Sequence, residues 1–324
     1  MPNSAPIEIG LVLYPSSQMS CVLGLTDLFG IANGIAAAKN EQGSQRLLRV
    51  THWALESASA PPARVFDTEF SDEGAPDVFI LPPAIDYLIS VEMTAPLTDW
   101  LRERHGAGAV LASVCAGAFL LAETGLLAGR TVTTHWSYAE TFRERFPEAH
   151  LDPDRLIIDD GDIITAGGLM SWTDLGLKLV DRFLGPTVMV ETAQVLLVDP
   201  PGREQRYYST FSPRLGHGDA AILKVQHWLQ VTKAKDMDLS ILCEQAGLEE
   251  RTFLRRFQKA TGLTTTEYCQ RLRIGRAREL LQFGALSIDR IAWEVGYNDP
   301  GAFRKIFARF VGLTPSDYRR RFHA

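Results

Sequence analysis

Residues 239–268 read LSILCEQAGLEERTFLRRFQKATGLTTTEY, and residues 287–318 read SIDRIAWEVGYNDPGAFRKIFARFVGLTPSDY. Each has a short apolar helix, a turn centred on glycine, and then a basic helix. Superposed on Gly247 and Gly296, the copies set Ala246 against Val295 and then, with one extra residue in the second copy, Phe253 against Phe303, Phe257 against Phe307, Gly262 against Gly312 and Tyr268 against Tyr318. A helix, a tight turn and a second helix pack at a steep angle only where the turn permits positive φ, which glycine supplies without steric penalty. Phe253 and Phe257, like Phe303, Phe307 and Phe310, recur at helical spacing and predict one buried stripe per copy. Arg251, Arg255, Arg256 and Lys259 fall between them on the open face, as do Arg304, Lys305 and Arg309 in the second copy. Such a face suits a helix that enters a major groove, where arginine and lysine meet phosphates and guanine edges. A single charged face more often means solvated surface; the repetition of the whole unit is what argues for DNA.

Between the copies, EYCQRLRIGRARELLQF (267–283) predicts a continuous amphipathic helix with Leu272, Ala277, Leu280 and Leu281 facing inward, a rigid spacer for the two basic helices. The stretch resembles the DNA-binding domain of AraC-family transcriptional regulators. Leu242, Ala246, Gly247, Arg255, Phe257, Gly262, Tyr268, Arg273 and Ala277 carry the resemblance, with the closing run Ile291, Ala292, Gly296, Tyr297, Phe303, Phe307, Gly312, Pro315 and Tyr318. It implies a double-stranded operator as partner. The expected contacts are Arg251, Thr252, Arg255 and Arg256 in the first unit and Gly301, Ala302, Arg304 and Lys305 in the second. Two departures matter. Glu249 stands where the family usually has serine, so the first reading helix has a weaker cap and a carboxylate that repels phosphate. Gly301 and Ala302 offer a thymine methyl a contact but no side-chain hydrogen bond, so the first unit is expected to carry more of the base readout.

The net charge of −6 conceals a division. Residues 219–324 hold 18 Lys and Arg against 12 Asp and Glu, whereas residues 1–218 hold 15 against 27. A basic tail on an acidic body fits a nucleic-acid binder with a separate sensing module, and the acidic total argues against a chromatin-like architectural protein. Cys21, Cys115, Cys243 and Cys269 are too few and too scattered for a disulfide framework, and no two have metal-ligand spacing. A cytoplasmic protein is expected. The first residues lack a basic leader before an apolar core, so neither a signal peptide nor a membrane partner is expected.

Upstream of the tail, IEIGLVLY (7–14), 48–55, 77–81 and 109–114 are strand candidates, with helices expected near 21–38 and 95–105. Strands alternating with helices argue for a parallel sheet covered on both faces. After Val114 the chain reads CAGAFLLAETGLLAGRTVTTHW (115–136). A strand ends, Cys115 sits at the corner, and Ala116, Gly117 and Ala118 let a helix begin at once, the arrangement of a nucleophile elbow. A thiol beside a helix N-terminus is expected to have a lowered pKa. His135 and Trp136 follow as a second wall. Residues 199–218, DPPGREQRYYSTFSPRLGHG, lack periodicity and read as a linker.

This part resembles the PfpI and ThiJ group of the class I glutamine-amidotransferase-like superfamily, through Leu120, Gly125, Gly129, Thr134, His135 and Trp136, a later block with Thr165, Ala166, Gly167 and Asp174, and then Arg203 and Gln205. With the tail attached, the chain looks like a GlxA-type AraC-family regulator. The resemblance implies a flavodoxin-like α/β sensor domain over residues 1–198 and an all-α double helix-turn-helix domain over 219–324. It also implies a homodimer and a small-molecule effector, with nitrogen-containing metabolites the expected class; Trp136 or Trp172 would hold a cation by its π face. Catalysis needs an activated thiolate, a partnering acid or base, and oxyanion donors. Ala116 stands where proteases of the group have histidine, Cys21 where hydratases have an acid, and Pro82–Pro83, without N–H groups, where a Gly-Gly pair donates to an oxyanion. Cys115, Ala116, His135 and Trp136 are therefore expected to line a ligand pocket, with no catalytic residue, metal or cofactor. The alternative is a cysteine-dependent hydrolase or hydratase carrying a DNA-binding domain.

Overall fold

The computed structural model of the chain describes residues 6–39, 47–55, 61–69, 74–85, 91–235 and 237–323. The termini of the two expected domains, residues 1–5 and 324, lie outside that description, as do the side chains of residues 91–94. The chain forms two compact units, Met1–Gln205 and Arg206–Ala324.

The first unit is built on strands β1 (Ile7–Leu13), β2 (Leu48–Ala54), β3 (Ala63–Asp67), β4 (Val78–Leu81), β5 (Val110–Val114), β6 (Thr131–Val132), β7 (His150–Leu151), β8 (Ile157–Asp159) and β9 (Ile163–Ala166). Seven of them form one sheet in the order β3-β2-β1-β4-β5-β9-β8, parallel from β2 through β9 and closed at both edges by antiparallel strands. Strands β6 and β7 pair separately. Helices α1 (Met19–Lys39), α2 (Val91–Gly106), α3 (Gly117–Glu123), α4 (Ala139–Arg145), α5 (Trp172–Leu184) and α6 (Pro186–Leu196) complete a flavodoxin-like fold.

Central strands such as β4 and β9 are buried along their whole length, because a parallel sheet covered on both faces has no solvent side. This continuous apolar signal is why β1, β2, β4 and β5 fall where the sequence sets them. The edge strand β3 (ARVFD) is half exposed and short, and the two-residue strands β6 and β7 carry no period, so none of the three is foreseen. Helix α1 is the one helix among the described residues that is long and apolar enough to cross a membrane by length and composition. Its Cys21, Val22, Leu25, Leu28, Phe29, Ala32 and Ala36 are buried in the sheet's core. It packs closely on α5, with Leu25 and Leu28 lying over Gly176.

The second unit contains α7 (Ala220–Val231), α8 (Leu239–Ala246), α9 (Glu250–Thr261), α10 (Thr265–Phe283), α11 (Ile288–Glu294), α12 (Pro300–Val311) and α13 (Pro315–Phe322). It has two cores. Phe253, Phe257, Leu242 and Tyr268 centre the first, and Phe303, Phe307, Ile291 and Tyr318 the second, with α10 contributing to both. The helix-turn-helix glycines adopt positive φ as expected, 63° at Gly247 and 87° at Gly296. Most of these helices start on a side-chain cap: Asp238, Thr264, Ser287, Asp299 and Thr314 each accept a backbone N–H from the first turn.

Candidate nucleic-acid interface and ligand site

In α9, burial of Phe253, Phe257 and Ala260 turns Arg251, Leu254, Arg255 and Lys259 outward. Thr252 is half-buried. So is Arg256, and it is engaged: its guanidinium donates to Asp219 over 2.9 and 2.7 Å, a bidentate pair that holds the Asp219 carboxyl below its usual range. Asp219 also caps α7 by accepting from Ile222 N. Arg256 therefore braces α9 against α7, whereas Arg251 and Arg255 stand on the open face. Leu254 is 38% exposed between those two arginines. Periodicity alone does not single it out, because an apolar residue in an amphipathic helix reads as core; its place between two outward arginines is the usable signal.

Glu249 occupies the N-cap of α9 and makes no side-chain cap bond, as its carboxylate chemistry and position lead one to expect. At the head of α12 the situation is reversed. The Asp299 carboxylate accepts from Gly301 N at 2.8 Å and Ala302 N at 3.0 Å, so that helix start is fully capped. Gly301, Ala302, Arg304 and Lys305 are exposed, with Arg304 also reaching Asp289 at 2.5 Å in a solvent-facing pair. The two helices thus present unlike surfaces: α9 two free-standing arginines around a leucine, α12 a small-residue head followed by cations.

In the first unit, the C-terminal ends of the strands gather the residues singled out in the sequence. Cys115 directly follows β5 with φ of 53°, a left-handed conformation strained for a non-glycine residue and characteristic of a sharp strand-to-helix elbow. Its carbonyl accepts from Thr134 Oγ1 at 2.7 Å, which ties the elbow to the segment leading into His135 and Trp136. Gly117 begins α3 so close to β4 that a Cβ there would stand 2.5 Å from the Leu81 carbonyl oxygen. Cys115 and Ala116 are each 3% exposed. The expected lowering of the thiol pKa does not occur: burial pushes Cys115 up to about 12, outweighing the downward pull of the Ala116 N–H. Desolvation disfavours the thiolate by more than one amide dipole on a seven-residue helix restores. Cys21, in the position of a hydratase acid, is fully buried and its thiol is also raised, by burial and by neighbouring Cys115. The Pro82 carbonyl accepts from the Tyr14 hydroxyl.

His135 is half-buried and burial lowers its pKa. Its Nδ1 accepts from Ser137 N at 3.2 Å, and its ring lies 5.4 Å from Trp136 and 5.8 Å from Tyr138. This segment is fixed from behind by Gln205. The Gln205 amide nitrogen donates to Thr133 Oγ1, Thr134 O and Arg155 O at 2.9–3.0 Å, and its oxygen accepts from Trp136 N at 3.2 Å. Gly167 leaves the room: a Cβ there would stand 1.9 Å from that nitrogen. Nearby, the buried Asp174 takes a bidentate pair from Arg203. A cleft of about 690 Å³ opens beside this pair, lined by Asp159, Asp174, Lys178 and Arg203 among others; Cys115, Ala116, His135 and Trp136 are not among its lining residues. Among the described residues, no group of three or more His, Cys, Asp or Glu is placed to hold a metal.

Comparison with known proteins divides along the same lines. The helix-turn-helix domain family matches residues 242–321, and the DJ-1/PfpI family matches residues 64–182. The HTH-type transcriptional regulator GlxA of Rhizobium meliloti (strain 1021) is 30% identical over 237 residues, 69% of this chain and 72% of that protein. The HTH-type transcriptional regulator CdhR of Pseudomonas aeruginosa is 27% identical over 228 residues, 70% of this chain and 68% of its own. GbdR, a further HTH-type transcriptional regulator of Pseudomonas aeruginosa, is 25% identical over 320 residues, 98% of this chain and 85% of that protein.

Proposed function

This chain belongs to the GlxA-type transcriptional regulators, a DJ-1/PfpI domain followed by an AraC-type helix-turn-helix domain, and we propose that α9 and α12 read an operator while the first unit holds a small metabolite against the Cys115 elbow. It is a DNA-binding regulator. The observation that carries the proposed readout is the duplicated helix-turn-helix, in which each buried phenylalanine stripe turns a basic face outward. Two such helices on one spacer suit successive major grooves, about one helical turn apart. Helix α9 supplies most of the base readout, with Arg251 and Arg255 on phosphates or guanine edges and Leu254 against a thymine methyl. Helix α12 supplies Arg304 and Lys305 to the backbone, with Gly301 and Ala302 close enough for a methyl contact.

For the first unit, Cys115, Ala116, His135 and Trp136 form the wall of the sensing site rather than a catalytic centre. A cysteine hydrolase requires a thiolate near neutral pH, and burial holds the Cys115 thiol protonated. A nitrogen-containing effector fits the neutral His135 and the indole face of Trp136. The protein acts in the cytoplasm as a homodimer, so that one operator carries two pairs of reading helices.

The deciding experiment is binding of the full-length protein to genomic fragments over a range of salt. Saturable binding to a few discrete sites supports the reading. Uniform, steeply salt-dependent binding to every fragment counts against it, since phosphate contact alone gives that behaviour. Turnover of an amide or isocyanide, abolished by thiol-specific inactivation, would instead favour the hydrolase or hydratase.

A further inference from the structure

We infer that Arg273 is a positioning residue that sets the distance and phase between the two reading helices; the inference rests on the reading that α9 and α12 enter successive grooves. Arg273 lies near the middle of α10 and is 6% exposed. Its guanidinium gathers three carbonyls from two places in the unit. Nε donates to Ala234 O at 2.8 Å and Nη2 to Lys235 O at 2.7 Å, both just beyond the end of α7, and Ala234 belongs to the first core. Nη1 donates to Gly296 O at 2.8 Å, in the turn that launches α12 from the second core. One planar group therefore bridges the two halves of the unit.

The backbone is shaped to receive it from both sides. Lys233 and Ala234 adopt φ of 56° and 50°, two consecutive non-glycine residues in the left-handed region, and Ala234 is fully buried. That strained turn points the Ala234 and Lys235 carbonyls toward α10. On the opposite side, a Cβ on Gly296 would stand 2.9 Å from the guanidinium carbon, and the Tyr297 ring lies 5.5 Å from it. Gly296 is thus required twice over, for its φ and for the room that the guanidinium fills. Arginine alone suits the site. Its fixed fork reaches acceptors in three directions within one plane, whereas a lysine ammonium is a compact point charge that cannot span them together. Helix α10 is shared by both cores, and the carbonyl clamp adds a second link between them at the turn preceding α12.

The test uses the full-length protein and a duplex selected by it from randomised DNA, with the two contacted elements located by footprinting. Base pairs are then inserted stepwise between those elements. For the wild type, an insertion of about half a turn should weaken binding at least about tenfold, because α12 then faces away from its groove. Arg273→Met, which keeps the volume and removes the donors, should bind the parent duplex about tenfold more weakly and the whole insertion series within about threefold of one value. A merely structural role would lower affinity by the same factor at every spacing. Should Arg273→Met melt far below the wild type, Arg273→Lys, which retains the buried charge, carries the same comparison. A folded variant with the wild-type spacing profile overturns the inference. A flat profile in the wild type removes the two-groove reading itself, and the inference with it.

Discussion

Single side chains here behave according to their burial more than their sequence neighbours. Cys115 illustrates it: a cysteine at a strand-to-helix corner reads as an activated thiol, yet desolvation raises it to about 12. Maleimide labelling of Cys115 in the folded protein should therefore be negligible at pH 7–8. A thiol ionises near pH 8.5 when unfolded but higher when folded, so between roughly pH 9 and 12 the unfolded state holds fewer protons and stability falls as pH rises. Thermal melts across that range should show the fall, and Cys115→Ala should reduce it. On the DNA side, Arg251→Ala and Arg255→Ala should each weaken operator binding by about 5- to 100-fold. Arg256→Ala should act mainly on the melting temperature, since that guanidinium holds Asp219. Arg290→Ala, on α11, should change binding little, and equal losses at all four positions would contradict the helix assignment. Leu254→Ala should cost about 1 kcal/mol, confined to operators with thymine at the contacted position and without change in salt slope. The sequence does not disclose the Arg256 pair because its partner lies on another helix, 37 residues away.

At the scale of elements, what was legible and what was not follow from periodicity. The phenylalanine stripes, the glycine turns and the buried strands β1, β2, β4 and β5 leave strong periods or continuous apolar runs, and they stand where the sequence sets them. Strands β3, β6 and β7 leave neither. The weak cap at Glu249 is legible in the sequence, and α9 and α12 differ at their starts in a measurable way. Helix α9 starts on Glu249 without a side-chain cap, whereas α12 starts on Asp299 with two cap bonds. Glu249→Ser should add about 1 kcal/mol to the stability of the second unit and tighten DNA binding by removing a carboxylate at the groove. Asp299→Ala should cost about 1 kcal/mol of stability. Urea unfolding and fluorescence anisotropy on the same variants would check both, and a destabilised Glu249→Ser protein would refute the capping argument.

For the whole molecule, the charge division sharpens at the structural boundary. Arg206–Ala324 carries 20 Lys and Arg against 12 Asp and Glu, and Met1–Gln205 carries 13 against 27. The acidic unit should suppress non-specific DNA binding. Full-length protein should therefore bind random duplex about tenfold more weakly than the second unit alone at low salt, and the difference should close as salt approaches 0.3 M and screening shortens the range of both fields. Titrations of both proteins at a series of ionic strengths would measure it; an unchanged gap would mean that charge is not its source. Composition announces the division, but the segment 199–218 does not announce where it falls, because its residues are held by side-chain bonds, such as those of Arg203 and Gln205, rather than by any repeating pattern.

The small head of α12 has a consequence for how such a regulator changes its allegiance. Gly301 and Ala302 are exposed, and the helix start that they occupy is secured by Asp299 rather than by their own side chains. Larger side chains at Ala302 would meet no core, so new hydrogen-bonding groups could be acquired there without loss of fold. In the proposed readout, a side-chain hydrogen-bonding group at either position would add a base preference that Gly301 and Ala302 do not supply.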